Sequence, residues 1–85
     1  MNTLEFLEKC IKSEKLKETI NRNGFNSSLW YTIDHCIDEV EEDGDIKYAA
    51  QFLDEWMESM EDYESIDELL DYCSPEFCKE LEETA

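Results

Sequence analysis

Between residues 45 and 63 the apolar and the acidic side chains sort onto opposite sides of a helical wheel. Ala49, Phe52, Leu53, Trp56, Met57, Met60 and Tyr63 share one side; Asp54, Glu55, Glu58, Glu61 and Asp62 share the other. So complete a separation at a period near 3.6 points to an amphipathic helix and away from a strand, whose side chains alternate with period two. Asp45 supplies an N-cap candidate, and the predicted helix runs to about Asp62.

The rest of the chain carries the same signal. Gly24, Gly44 and Pro75 are the only glycines and proline, so the chain has few natural breaks. A first segment over about 2–23 opens with Asn2 and Glu5 in the spacing of a capping box. Leu4, Leu7 and Ile11 define one face, while Leu16 and Ile20 define another, which predicts a break or kink near Ser13 and so two short helices or one bent one. Gly24 is a candidate helix stop. A second segment over about 27–42 follows Asn26 or Ser27 as N-cap. It has Leu29, Trp30, Ile33, Cys36, Ile37 and Val40 on one stripe and Asp34, Asp38, Glu41 and Glu42 opposite. After the strongly amphipathic third segment, Ser65–Glu68 forms another capping box, with Ile66, Leu69, Leu70 and Cys73 inward. Ser74–Pro75 then supplies an N-cap with proline at the first helical position, ahead of Phe77, Cys78 and Leu81. The reading is all-α: a compact bundle of four or five short amphipathic helices. The expected core includes Trp30, Ile33, Ile37, Phe52, Leu53, Trp56, Leu69 and Leu81. With 85 residues the chain is expected to make a single acidic helical domain, 1–85.

The charge is uneven. Of a formal −17, residues 1–33 hold four acids and five bases, whereas residues 34–85 hold twenty acids and only Lys47 and Lys79. The stretch DEWMESMEDYESIDELLDY at 54–72 has nine carboxylates and no lysine or arginine. Such a surface repels nucleic acid and anionic lipid, and it suits a basic protein surface or a cation. The aromatic and aliphatic content argues against a disordered acidic tail.

Motifs for chemistry are scarce. No P-loop, G-x-S-x-G, H-E-x-x-H or dinucleotide fingerprint occurs, so neither an enzyme nor a cofactor is expected. His35, beside Asp38 and Glu39, reads as a surface histidine whose proton its acidic neighbours favour. Cys73-x4-Cys78 with His35 and Cys36 could supply four zinc ligands, but Cys36 and Cys73 fall on apolar stripes, where a thiol acts as a small hydrophobe. Residues 39–50, EVEEDGDIKYAA, partly match a calcium loop, yet Ala50 stands where a bidentate glutamate belongs. A helix–turn–helix link around Gly44 is the simpler reading. The start, MNTLEFLEKC, lacks the basic and apolar regions of a signal peptide, and no stretch is long enough to span a membrane. The expected place is a cytoplasm, with cysteines reduced.

What remains is the acid surface. Asp54, Glu58 and Glu61, and likewise Asp34, Asp38 and Glu41, are spaced to form rows along a helix that rises about 5.4 Å per turn. Such rows have a pitch comparable to a phosphate strand. Tyr31 lies on the acidic side of its helix, where its ring could stack on a partner's arginine. With folding left to the apolar faces, these acids, together with Glu42, Glu55 and Asp62, are the candidate partner-binding residues.

In size, charge, acid rows and lack of catalytic motifs, the chain resembles the small acidic DNA-mimic inhibitors of phages and mobile elements, the anti-CRISPR and anti-restriction class. That resemblance implies a protein acting in the bacterial host cytoplasm, where it occupies the basic nucleic-acid site of a defence complex, such as a ribonucleoprotein effector, or blocks its assembly. Two other readings stay open: an acidic adaptor for a nucleic-acid-binding protein, and a calcium-binding helical protein. A homodimer is compatible with all three.

Overall fold

Each helix of the chain begins where a side chain meets the first unpaired backbone N–H groups. In a computed structural model, which describes residues 1–60, 63 and 65–84, six helices are seen among the described residues. They are α1 (Thr3–Lys12), α2 (Glu14–Gly24), α3 (Ser28–Asp43), α4 (Ile46–Glu58), α5 (Ile66–Leu70) and α6 (Pro75–Glu83). Asn2, Ser13, Ser27, Asp45, Ser65 and Ser74 each accept a hydrogen bond from the backbone N–H three residues on. Such caps satisfy donors that the helix itself leaves orphaned. The break expected near Ser13 is complete. Ser13 is extended at φ −115° and ψ 114° and caps α2, so the first segment is two helices.

Helices α3 and α4 form an antiparallel hairpin through Gly44 and Asp45. Gly44 adopts the left-handed conformation at φ 75°, and its N–H donates to the Val40 carbonyl. A side chain there would be strained, which is why glycine suits the turn. Helix α2 packs along α3, α1 packs on α4, and α6 closes the bundle against α2 and α1. Gly24 serves a different purpose from a left-handed stop. It is the last residue of α2, and a Cβ there would sit 3.3 Å from the Tyr31 Cα, so its bareness lets α2 end close against the α3 backbone. The radius of gyration, 11.7 Å, matches the roughly 12 Å expected of a compact chain of this length.

The core draws on every helix. Phe6, Leu7, Leu16, Ile20, Ile33, Ile37, Leu53, Met57, Ile66, Leu69 and Leu81 are almost wholly buried. Of the expected core residues, Ile33, Ile37, Leu53, Leu69 and Leu81 are buried, while Trp30 and Trp56 are half-buried. Trp30 packs edge-on to Phe77 with ring centroids 5.5 Å apart. Phe52 departs from expectation and is 41% exposed. The buried stripe of α4 is Ala49, Ala50, Leu53 and Met57, which places Phe52 at its rim. A similar rotation occurs in α1. Its buried residues are Thr3, Phe6, Leu7 and Cys10, and Leu4 and Ile11 flank them.

The third segment stops sooner than its wheel predicts. Helix α4 ends at Glu58, and the Ser59 N–H donates to the Glu55 and Trp56 carbonyls while its hydroxyl donates to Trp56 O at 2.7 Å. The last turn of α4 contains no base. Acids near a helix C-terminus meet the negative end of its dipole, which favours an early stop.

Candidate functional site

The acid row of α3 runs along the edge that faces α2. Tyr31, Asp34, Asp38 and Glu41 follow one another at helical spacing, and α2 brings polar side chains to both ends of the row. Asn21 Nδ2 donates to Asp34 Oδ2 at 3.2 Å. Lys17 Nζ lies 3.2 Å from Glu41 Oε1 and 3.0 Å from Glu14 Oε1. The two carboxylates hold the Lys17 ammonium above its ordinary range. Between these pairs stands Asp38. Partial burial, and then the like charges of Asp34 and Glu41, push its carboxyl pKa up against the opposing pull of His35 and Lys17. Carboxylates crowded in this way favour the neutral form. Glu42 is exposed one position beyond the row, and Tyr31 is 65% exposed at its head.

The acids of α4 have other neighbours. Asp54 accepts a hydrogen bond from the hydroxyl of Thr3, a nearly buried residue at the start of α1. Glu55 accepts one from Gln51 Nε2 at 3.4 Å, one turn earlier on the same helix. Glu58 is exposed at the helix end. Glu61 and Asp62 lie outside the described residues. The two rows are therefore not brought together: α3's runs beside α2, and Asp54 is seated on α1. Nor are all the acids free of the fold, as the wheel alone implies. Asp34, Glu41 and Asp54 each hold a neighbouring helix.

Of the two acids expected beside His35, one is its partner, and further contacts join parts of the chain that spacing does not relate. His35 Nε2 lies 3.1 Å from Glu39 Oε1, so its acidic partner is Glu39. Ser13 Oγ donates to Glu80 Oε1 at 3.1 Å, which ties the α1–α2 break to α6. The Met1 ammonium lies 2.6 Å from Asp67 Oδ1 on α5. Four aromatic residues outside the candidate set, Phe25, Tyr48, Phe52 and Tyr72, are exposed, as Tyr31 is. For Phe25 a signal existed: it follows Gly24 in a loop and belongs to no apolar stripe.

The cysteines are free thiols, with Cys10 and Cys36 buried and Cys73 and Cys78 half-buried. Burial pushes Cys10 up to about 12, and Cys36 and Cys73 up to about 11. The Cys73 and Cys78 thiols donate to the Leu69 and Leu70 carbonyls at 3.4 and 3.5 Å. Among the described residues no three histidine, cysteine or acidic side chains converge as a metal site. The stretch that partly matches a calcium loop is helical up to Asp43, and the Asp45 side chain caps α4 through the Tyr48 N–H. Among the described residues no helix is long and apolar enough to cross a membrane.

No family model matches the chain, and no curated protein or solved structure is similar enough to count as a match.

Proposed function

We propose that the protein is an inhibitor of the phage or mobile-element type, whose acidic surface stands in for nucleic acid and occupies the basic nucleic-acid-binding site of a host defence complex. The observation that carries this reading is the excess of eighteen negative charges over residues 34–85, borne largely by exposed faces of folded helices. A rigid helix presents its carboxylates at fixed intervals, whereas a disordered acidic tail would present the same charge without a fixed spacing. Intramolecular charge compensation within the α3 row is limited to one lysine, Lys17, which meets Glu41, and Asp38 stands exposed between the tied ends. Complementary charge speeds encounter and sets register, so the complex should form quickly and weaken with salt. The protein acts by binding alone, in the cytoplasm of a bacterial host, and does not itself bind nucleic acid.

Affinity capture from a bacterial lysate, with and without competing DNA, tests the reading. The expected result is capture of a nucleic-acid-binding complex that DNA displaces. The quadruple variant Asp34→Asn, Asp38→Asn, Asp54→Asn and Glu58→Gln keeps side-chain size and should weaken capture by about 1–3 kcal/mol. Glu5→Gln, Glu8→Gln and Glu14→Gln form the control set in the nearly neutral first segment. If the control abolishes capture while the quadruple variant binds normally, the acid rows are only a solvated surface.

A further inference from the structure

At one end of the bundle the α2–α3 loop and the end of α4 enclose an open groove of about 520 Å³, lined by Phe25, Asn26, Tyr31, Thr32 and Trp56 among others. It adjoins a smaller recess of about 180 Å³ lined by Leu29, Trp56, Met60 and Tyr63, the two sharing Ser27, Ser28 and Trp56. Phe25 is 83% exposed and Tyr31 65% exposed, although both are large rings. Folding does not need them in water, and the core is complete without them. We infer that this groove is a cradle for an arginine side chain of the basic partner, with the guanidinium stacked on the rings of Phe25, Tyr31 and Trp56. The inference rests on the basic-partner reading and specifies which cation that partner presents.

Three features select a cation, and arginine over lysine. Helices α2 and α4 both end at the groove, at Gly24 and Glu58, and only α3 begins there. Two negative dipole ends thus stand against one positive end, all three of them capped, by Phe25, Ser59 and Ser27. No basic residue lines the groove. Arg22, the one base in the last turn of α2, lines a separate hollow with Ser74, Glu76 and Phe77. Tyr31 also heads the α3 acid row, so a basic segment seated on Asp34, Asp38 and Glu41 reaches the rings without a break. A second copy of the chain is disfavoured as occupant, because each copy carries a formal charge of −17. Arginine is favoured because its planar, weakly hydrated guanidinium stacks on aromatic faces, whereas an ammonium keeps its water.

Labelled nona-arginine and nona-lysine peptides of equal charge provide the probes, with affinity read by fluorescence anisotropy at physiological ionic strength. The wild-type protein should bind nona-arginine about threefold to tenfold more tightly than nona-lysine. In a Trp30→Phe background, Trp56 emission should respond to the arginine peptide more than to the lysine peptide. The exposed pair Phe25→Leu and Tyr31→Leu leaves Trp56 in place and should clearly reduce the preference with nona-lysine binding unchanged, while Phe25→Tyr with Tyr31→Phe should retain it in full. Equal affinity of the wild type for both peptides overturns the cradle and leaves the acidic-surface reading standing. A preference undiminished in the leucine pair also overturns it, since the two exposed rings would then contribute nothing to reading arginine. Failure of both peptides to bind overturns the acidic-surface reading and the cradle with it.

Discussion

Helices α3 and α4 are the two arms of one hairpin, and both carry acids opposite an apolar stripe, yet their carboxylates lead different lives. The α3 row is met by α2: Asn21 holds Asp34, Lys17 holds Glu41, and Asp38 is crowded between them. On α4 only Asp54 is tied to another helix, through the Thr3 hydroxyl, and Glu58 stands exposed at the end. A helical wheel draws the two arms alike. What separates them is which neighbour each acid edge meets, so carboxylate density on a wheel does not measure availability to a partner.

Both arms depend on one core, and the largest effect should come from there. Leu53→Ala removes a fully buried side chain of α4 and should cost about 2–5 kcal/mol in urea unfolding. Phe52→Ala, one residue away and 41% exposed, should cost clearly less. Equal losses would mean that the α4 stripe is rotated from the one described, and the comparison of the two arms would lose its frame.

Next comes the joint between the arms. Gly44→Ala forces a Cβ into the left-handed conformation at φ 75°, at a cost of about 1–2 kcal/mol. Space is not the problem, since nothing lies within 4 Å of the position a Cβ would take. A neutral result in thermal unfolding would show that the turn can be rebuilt without glycine and that the hairpin is less firmly set.

Within α4, tied and untied acids should separate. Asp54→Ala leaves the nearly buried Thr3 hydroxyl without its acceptor and should destabilise by about 1 kcal/mol. Glu58→Gln should change stability by no more than about 0.5 kcal/mol in either direction. Identical outcomes would erase the distinction drawn between them.

The smallest effect concerns α3. Lys17→Gln removes an exposed ion pair with Glu41 and should cost no more than about 1 kcal/mol, shrinking as salt is added. Its sharper signature is in titration. Asp38 in the folded chain holds its proton to higher pH than its ordinary value of 3.8. The native state therefore binds more protons than the unfolded chain in the window just above that value, and stability falls as pH rises through it. Lys17 pulls Asp38 downward, so Lys17→Gln should raise the Asp38 pKa further and widen that window. Carboxyl chemical shifts followed by NMR would check the direction, and an unmoved Asp38 would mean that α2 does not set the field on the α3 row.

The all-α class, the break near Ser13, the caps at Asn2, Asp45, Ser65 and Ser74, and the helix end at Gly44 were determined by the sequence by itself, which left Asn26 and Ser27 as alternatives for the cap of α3. Each is a local matter: a side chain meeting a backbone group three residues away, a period of apolar residues, or a conformation that only glycine takes without strain. The acid rows are legible for the same reason, since which residues share a helix face follows from spacing. Tertiary structure alone decided that α4 buries Ala50 and leaves Phe52 at the rim, because that depends on where α1 and α3 approach it. It also decided that Gly24 is a place of close approach to Tyr31, that Thr3 takes Asp54, and that Lys17 and Asn21 occupy the ends of the α3 row. The groove of Phe25, Tyr31 and Trp56 belongs with these, for its walls come from three separate parts of the chain. Local rules choose the helices and the faces they own; the packing of one helix on another chooses which of those faces remain open.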